Sequence, residues 1–260
     1  MSRDTGIFKD NHFLLLAPAN ARIPKVFSRV EENVQAHETW RTKLQQLRGK
    51  VFLEDGAIKE SHLDEQGRHI SKLDINSWHF LVMSPEEQIR GVMRTQIWYY
   101  DDRLPELCEL NLYGLLERMQ DLELRQKFTT ALNNTMHQPN DNTCFMEVSA
   151  LAVDAASQGF TIGSMLGISG YSIGNIVDAY VAFGAGTDRH HTARFYHKLG
   201  GISFRDSSNP EVVLPPFFDT GYNCQMDIMA FFKDQPTPAI KEMITIVEEK
   251  LCAAQVYVNR

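Results

Sequence analysis

The chain has 260 residues, a formal net charge of -7, 43% hydrophobic and 23% charged residues, a mix that supports a packed globular core and excludes a disordered or fibrous chain. Its acidic balance excludes general nucleic-acid binding, which needs a basic surface to displace counterions. The longest apolar runs, at 13–18 and 177–184, fall far short of the ~20 residues of a membrane span, and the first residues carry charges with no apolar signal core, so no membrane span is expected and the cytoplasm is the expected address.

Residues 23–47 read as a helix with Pro24 in the first turn, the main part of an expected N-terminal helical extension over about 1–46. Two extended runs at 78–83 and 88–98, around Ser84-Pro85-Glu86-Glu87, predict an antiparallel hairpin. Helical leucine spacing covers 105–119 and 122–132, and 133–142 is polar enough for a loop. Residues 144–153 are apolar on nearly both faces, which predicts a central strand.

A glycine-containing turn at 158–163 follows, then helical spacing of Ile162, Met165, Leu166, Ser169 and Ile173 until Gly174-Asn175 can cap it. Residues 176–184 form another buried strand. Strand, helix and strand in this order make a right-handed crossover joining parallel strands. Thr187-Asp188 can cap a short helix through Arg194, Phe195 and Leu199, ended by Gly200-Gly201. Met226, Ile228, Ala230 and Phe232 alternate as a strand, and a last helix starts at Thr237-Pro238, burying Ile240, Met243, Ile244, Val247 and Leu251. The whole reads as one domain, 1–260.

Cys108, Cys144, Cys224 and Cys252 form no C-x-x-C pair, so neither a zinc knuckle nor a redox motif is indicated. Cys144 could carry an acyl group, yet no histidine base lies near it in sequence, and a small core residue is the plainer role. His190-His191 project apart without further ligand spacing, and no metal is expected.

The turn Gln158-Gly159-Phe160-Thr161-Ile162-Gly163 sits between a buried strand and a helix, where backbone N–H groups and the helix dipole attract phosphate oxygens. Such a turn also serves as a plain connection. Together with residues 147–154 before it and 194–200 after it, it resembles the core of the GNAT acyltransferase superfamily. That superfamily has a Q/R-x-x-G-x-G/A loop for the pantetheine pyrophosphate and a tyrosine-bearing helix ending in lysine-leucine-glycine. Gln158 and Gly163 match the loop's ends, whereas Thr161 replaces its middle glycine and makes a carrier protein a more attractive donor than coenzyme A.

Within the superfamily the chain resembles long-chain N-acyl amino acid synthases and, more distantly, acyl-homoserine-lactone synthases. The similarity rests on residues 47–54, on Leu73-Asp74 with 79–81 and 91–94, and on 215–226 with Pro236 and Pro238. Ala57 and Ala150 stand where the lactone synthases usually have tryptophan and arginine, so homoserine lactone is the weaker product.

The resemblance implies an α/β fold of GNAT type, three layers α/β/α, with a mixed central sheet splayed between two parallel strands. It implies transfer of a long acyl chain from acyl carrier protein or acyl-CoA, the co-substrate, to the amine of an amino acid or similar small acceptor, with no tightly bound cofactor. An ammonium acceptor must lose a proton before attack. Glu147, whose pKa burial would raise, matches the lactone synthases' proposed base; pairing with Arg48 or Arg94 is its structural alternative. Tyr196 matches the superfamily's usual acid, or packs beside Phe195.

Backbone N–H groups near Leu151 or Ala152, with Val153, would hold the thioester, and Gln158, Gly159, Thr161 and Gly163 the pantetheine arm. Arg48, Phe52, Asp74 and Arg94 would shape the acceptor or acyl pocket, and an apolar tunnel beside the splayed strands is expected. The helix face with Gly163, Gly167, Gly170 and Gly174 could admit a close neighbour or an acyl chain. Arg189, Arg194 and Lys198 would suit an acidic carrier protein, or form a solvated basic face. An acetyltransferase with a shallow pocket and a non-catalytic acyl-thioester binder are the alternatives.

Overall fold

The computed structural model describes residues 10–137, 144–157, 159–233 and 236–260. In chain order the elements are β1 (His12–Ala17), β2 (Arg29–Glu32), α1 (Val34–Glu54), β3 (Trp78–Met83), β4 (Ile89–Tyr99), α2 (Asn111–Arg118), α3 (Leu122–Met136), β5 (Cys144–Val153), α4 (Gly159–Ile176) and β6 (Ala179–Thr187). There follow α5 (Thr192–Lys198), β7 (Ile202–Ser203), β8 (Arg205–Asp206), β9 (Asn209–Val213), β10 (Phe217–Asp219), β11 (Cys224–Phe232), α6 (Pro238–Cys252) and β12 (Gln255–Val258). Short single-turn helices at Glu60–His62, Lys72–Asn76 and Leu107–Glu109 punctuate the loops.

One mixed sheet runs β10-β11-β6-β5-β4-β3-β1-β12-β2, with β7 beside β11, while β8 and β9 form a separate ribbon. Alternation along the strands assigns the two faces. Phe13, Leu15 and Ala17 of β1 and Trp78, Phe80 and Val82 of β3 join the core that α4 and α6 cover. Leu14, Leu16, Leu81 and Met83 meet Leu44 of α1 on the opposite face, and α2 and α3 close that face over β6 and β11. Helices on both faces explain why these strands are apolar at all but one position each, His12 in β1 and His79 in β3. Among the described residues, no helix is long and apolar enough to cross a membrane.

The helical extension expected over about 1–46 is corrected in part: residues 12–17 are a central strand and 29–32 an edge strand. Polar composition after Pro24 imitates a helix, but β1 and β2 gain their place by parallel pairing with β12, some 240 residues away in the chain for Leu14 with Gln255. The helix itself starts at Val34, where the Asn33 side chain accepts the Ala36 N–H at 2.9 Å, a standard N-cap. At the other end of the chain Thr237 caps α6 with Pro238 in the first turn, as expected.

The short helix α5 is capped differently from expectation. Thr187 still belongs to β6, and the N-cap is His191, in the left-handed region at φ 55°. Likewise α4 runs past Gly174-Asn175 to Ile176, and Asp178, at φ 56°, turns the chain into β6. The expected loop over 133–142 falls partly in α3 and partly on 138–142, outside the described residues.

Two features of β5 set up the site. Its parallel pairing with β6 covers only Cys144–Glu147 against residues 179–183. From Val148 and Gly184 onward the two strands part, β5 staying with β4 and β6 with β11. On the β4 side, Ser149 opposes Arg94 and Ala152 opposes Val92, so Ala150 and Leu151 share Met93 as their opposite. That two-against-one count is a β-bulge. Ala150 adopts φ 53°, a conformation that costs a residue with a Cβ about 1–2 kcal/mol.

Candidate active site

Where β5 and β6 part, the α4 face of the sheet holds an apolar slot. Met146 and Val148 of β5, Val181, Ala182 and Gly184 of β6, and Gly167, Gly170 and Gly174 of α4 form its long walls. Tyr196, Leu199 and Phe231 close it from the side, and Asn175, Ala179 and Lys233 lie at the far end. The glycines are what make room: a Cβ on Gly170 would sit 3.5 Å from Val148 Cγ2, and one on Gly174 3.3 Å from Met146 Cε. Walls from Gly167 to Asn175 span about 12 Å of helix. The free volume is about 40 Å³, narrow enough that an alkyl chain enters as flexible groups such as Met146 give way.

Tyr196 is 7% exposed and packs edge-on against Phe231 with centroids 5.5 Å apart. Burial pushes its phenol up to about 12, so it offers a hydrogen bond to a leaving thiolate more readily than a full proton. Tyr171, in the same wall, went unnoticed in the sequence. Its ring meets Phe231 at 85°, and its hydroxyl is buried with no partner among the described residues.

The opposite face of the splayed strands carries charge. Glu147 has no exposed surface, and its two oxygens accept the backbone N–H groups of Asn111 at 2.7 Å and Leu112 at 2.6 Å. These are the first residues of α2, whose preceding Leu110 has no side-chain cap. A strand carboxylate thus does the capping, where the helix dipole also favours it. Burial pushes the Glu147 carboxyl up to about 7, although both backbone donors and Arg94 act to lower it.

Arg94 bonds Asp74 Oδ1 at 3.1 Å, Ser149 Oγ at 3.1 Å and Asn111 Oδ1 at 2.9 Å. Arg48 bonds both Asp74 oxygens, at 2.9 and 2.6 Å, and Gln45 donates a further bond to Asp74. Burial raises the Asp74 pKa, but the bonds and charge of Arg48, with His79 and Arg94, outweigh it and hold that carboxyl well below the usual range. His79 is driven down to about 3 by burial, so it is neutral at pH 7. The expected pairing of Glu147 with Arg48 or Arg94 is replaced by backbone capping, with Asn111 between.

Beside this network lies a polar cavity of about 830 Å³, lined by Asn20, Arg22, Lys72, Gln96, Trp98, Tyr99 and neighbours. It opens where β4 outruns β3, whose pairing stops at Trp78 and Thr95. Gln96 directly opposes Glu147 across the strands, is 6% exposed, and its Oε1 is buried with no partner among the described residues.

The structure brings some expected site residues together and separates others. Leu151, Ala152 and Val153 lie on β5 beyond its pairing with β6, whereas Glu147 and Tyr196 lie on opposite faces of the sheet, Glu147 against the start of α2 and Tyr196 in the slot. Gly159, Thr161 and Gly163 fall in the first turns of α4, which carry no acidic residue, while Gln158 lies outside the described residues. Arg48 and Arg94 are both bound to Asp74, and the three line neither the slot nor the polar cavity. Phe52 packs on His69, with centroids 5.6 Å apart. Arg194 and Lys198 are exposed on α5; Arg189 is exposed too, and donates to the carbonyls of Asp55, Tyr222 and Asn223.

No protein-family model matches the chain, and no curated protein matches its sequence. Several solved structures are similar. A CoA-dependent acyl-homoserine lactone synthase, BjaI, shares 11% identity with a TM-score of 0.55, covering 95% of this chain and 93% of that chain. FeeM, an N-acyl amino acid synthase from uncultured soil microbes, shares 13% with a TM-score of 0.52, covering 79% and 93%. TofI, solved in a ternary complex with an inhibitor and MTA, shares 14% with a TM-score of 0.53, covering 89% and 96%. At these identities the likeness is one of fold, and the expected GNAT-type architecture is borne out.

Proposed function

We propose that this GNAT-type chain is an N-acyltransferase, acting as a single domain over residues 1–260, that moves an acyl chain longer than acetyl from a carrier thioester to the amine of a small acceptor. The observation that carries the reading is the slot itself. An acetyl group needs only its upper end, whereas the apolar walls continue for about 12 Å along α4. The free volume of about 40 Å³ favours the alternative, a small acyl group, unless the walls yield.

In this account the thioester carbonyl sits at the β5 bulge. An N–H of Leu151 or Ala152 faces the developing oxyanion, since among the described residues β5 has no strand partner on its β6 side from Val148 on and such preorganised donors lower the barrier to acyl transfer. The pantetheine arm runs toward the N-terminal turn of α4, at Gly159, Thr161 and Gly163, where dipole and free N–H groups suit phosphate. The acceptor, an amino acid or similar amine, enters from the polar cavity past Gln96.

Glu147 takes the ammonium proton, directly or through a neighbouring group. Its two oxygens retain lone pairs beyond those used by α2, and a pKa of about 7 suits a base working near neutrality. Nitrogen then bonds the acyl carbon, the carbon–sulfur bond breaks, and the second nitrogen proton passes to the leaving thiolate, to which Tyr196 donates a hydrogen bond. Arg194 and Lys198, exposed beside the slot's α5 wall, suit the acidic surface of an acyl carrier protein, with acyl-CoA the other donor.

Mass spectrometry of lipid extracts from a host expressing the chain, set against a Glu147→Gln control, tests the reading. New N-acyl products that vanish in the control support it. Absence from both defeats the long-chain reading.

A further inference from the structure

β2 ends the sheet, and all four of its residues, Arg29–Glu32, are exposed. Along a strand the backbone N–H and C=O groups of successive residues point to opposite sides. Asn33, directly after β2, donates its N–H to Val258 O of β12. By alternation Glu31 and Arg29 also turn theirs toward β12, and Val30 turns its N–H and its C=O outward, to an edge with no strand partner among the described residues. Side chains alternate too: Arg29 and Glu31 share the face of Gln255 and Tyr257, and Val30 that of Val256. Arg29 makes no hydrogen bond or ion pair among the described residues, and Glu31 accepts from Asn33 Nδ2 at 2.6 Å on Oε1, which leaves Oε2 open.

We propose that β2 is a dimerisation edge, which pairs antiparallel with β2 of a second copy of this chain about a two-fold axis through Val30. The run Arg29-Val30-Glu31 is self-complementary about that point. Val30 exchanges both backbone hydrogen bonds with the partner's Val30, the role of an outward-turned residue in an antiparallel pair. Arg29 then stands opposite the partner's Glu31, and Glu31 opposite the partner's Arg29. Both are non-hydrogen-bonded pairs with Cα atoms about 4.5 Å apart, a spacing at which opposite charges attract and like charges repel. Centring the axis on Glu31 instead sets that carboxylate against its own copy and uses backbone groups already turned to β12. Charges on an edge strand usually block pairing; here their arrangement admits one partner, the same edge of another copy. One short strand makes a small contact, so dissociation on the order of 10–100 µM is expected.

Sedimentation velocity of the full chain over about 1–500 µM tests the pairing. Wild type shifts from monomer toward dimer across that range. Arg29→Glu alone, and Glu31→Arg alone, set like charges opposite each other in both pairs and raise the dissociation constant at least about tenfold. An equimolar mixture of the two variants associates as wild type does, because each substituted charge then faces an opposite one. Val30→Pro removes the outward N–H without touching a bond to β12, a change that an edge strand tolerates, and weakens association as well. The charge variants, at exposed positions, decide the matter whether or not the proline variant folds. A monomer at every concentration overturns the proposal, as does a dimer equally stable in wild type and both charge variants. Weakening by each charge variant without recovery in the mixture overturns it too.

Discussion

Arg94 and Glu147 are coupled without touching: the Asn111 side chain accepts from Arg94 Nη2 at 2.9 Å while the Asn111 backbone donates to Glu147 Oε2 at 2.7 Å. One residue at the start of α2 thus ties the buried cationic network to the candidate base, and four predictions follow from that coupling and from the slot behind it.

Glu147 links activity to stability with opposite pH dependence. Its pKa is raised from 4.5 to about 7, so the folded state holds a proton that the unfolded state releases between those values. Stability from this group is full below about 4.5 and falls as the pH rises toward about 7. Activity, which needs the carboxylate, rises over the upper part of the same window. In Glu147→Gln the turnover drops by about 10²–10⁴, and urea denaturation at several pH values finds the pH slope of stability reduced, because the neutral amide does not titrate.

Asp74 holds two buried guanidinium groups, those of Arg48 and Arg94. Asp74→Ala leaves both without a counter-charge and costs about 3–5 kcal/mol, read as a lower urea midpoint. Because the Asp74 pKa is depressed, its contribution persists from neutral pH well into the acid range and is lost as the pH falls through the folded value.

Gly170→Ala separates folding from function. The new Cβ meets only Val148, at 3.5 Å, an ordinary contact, and replacing a mid-helix glycine stabilises by up to about 1 kcal/mol. The same methyl narrows the slot. Thermal denaturation should find a higher midpoint while transfer of long acyl chains slows and transfer of acetyl does not.

Gly186 lets α5 approach β6. A Cβ there would lie 2.6 Å from the backbone N and Cα of Ala193, so Gly186→Ala pushes the start of α5 outward and with it Tyr196. We expect a loss of about 1–3 kcal/mol and slower thiol release, whereas Tyr196→Phe slows release with little change in the urea midpoint.

The strands and helices nearest the slot were legible because their signals are local. Cys144–Val153 and Trp78–Met83 carry their apolar patterning in consecutive residues, and Thr237-Pro238 announces α6 in two. β1 and β12 were not legible, since what makes each a strand is the other, at the far end of the chain. Glu147 stood out as a carboxylate in an apolar run, but its partners are backbone groups 35 and 36 residues back, which no side-chain pattern encodes. Arg48, Phe52, Asp74 and Arg94 were expected to shape one pocket; Arg48 and Arg94 both pair with Asp74, and Phe52 packs on His69. Tyr171 and Gln96 went unmarked because an unpartnered hydroxyl or amide emerges only once every neighbour is placed.

The central claim is that the slot between β5 and β6 receives the acyl chain, and thiol release from pantetheine thioesters of increasing chain length tests it most directly, with wild type and Gly170→Leu compared on a mixture of amino acids. The account predicts that wild type prefers octanoyl or longer chains to acetyl, and that the leucine, filling the slot at Val148, reverses the preference by at least about tenfold. Acetyl preferred by both proteins, or a long-chain preference untouched by the leucine, would contradict it.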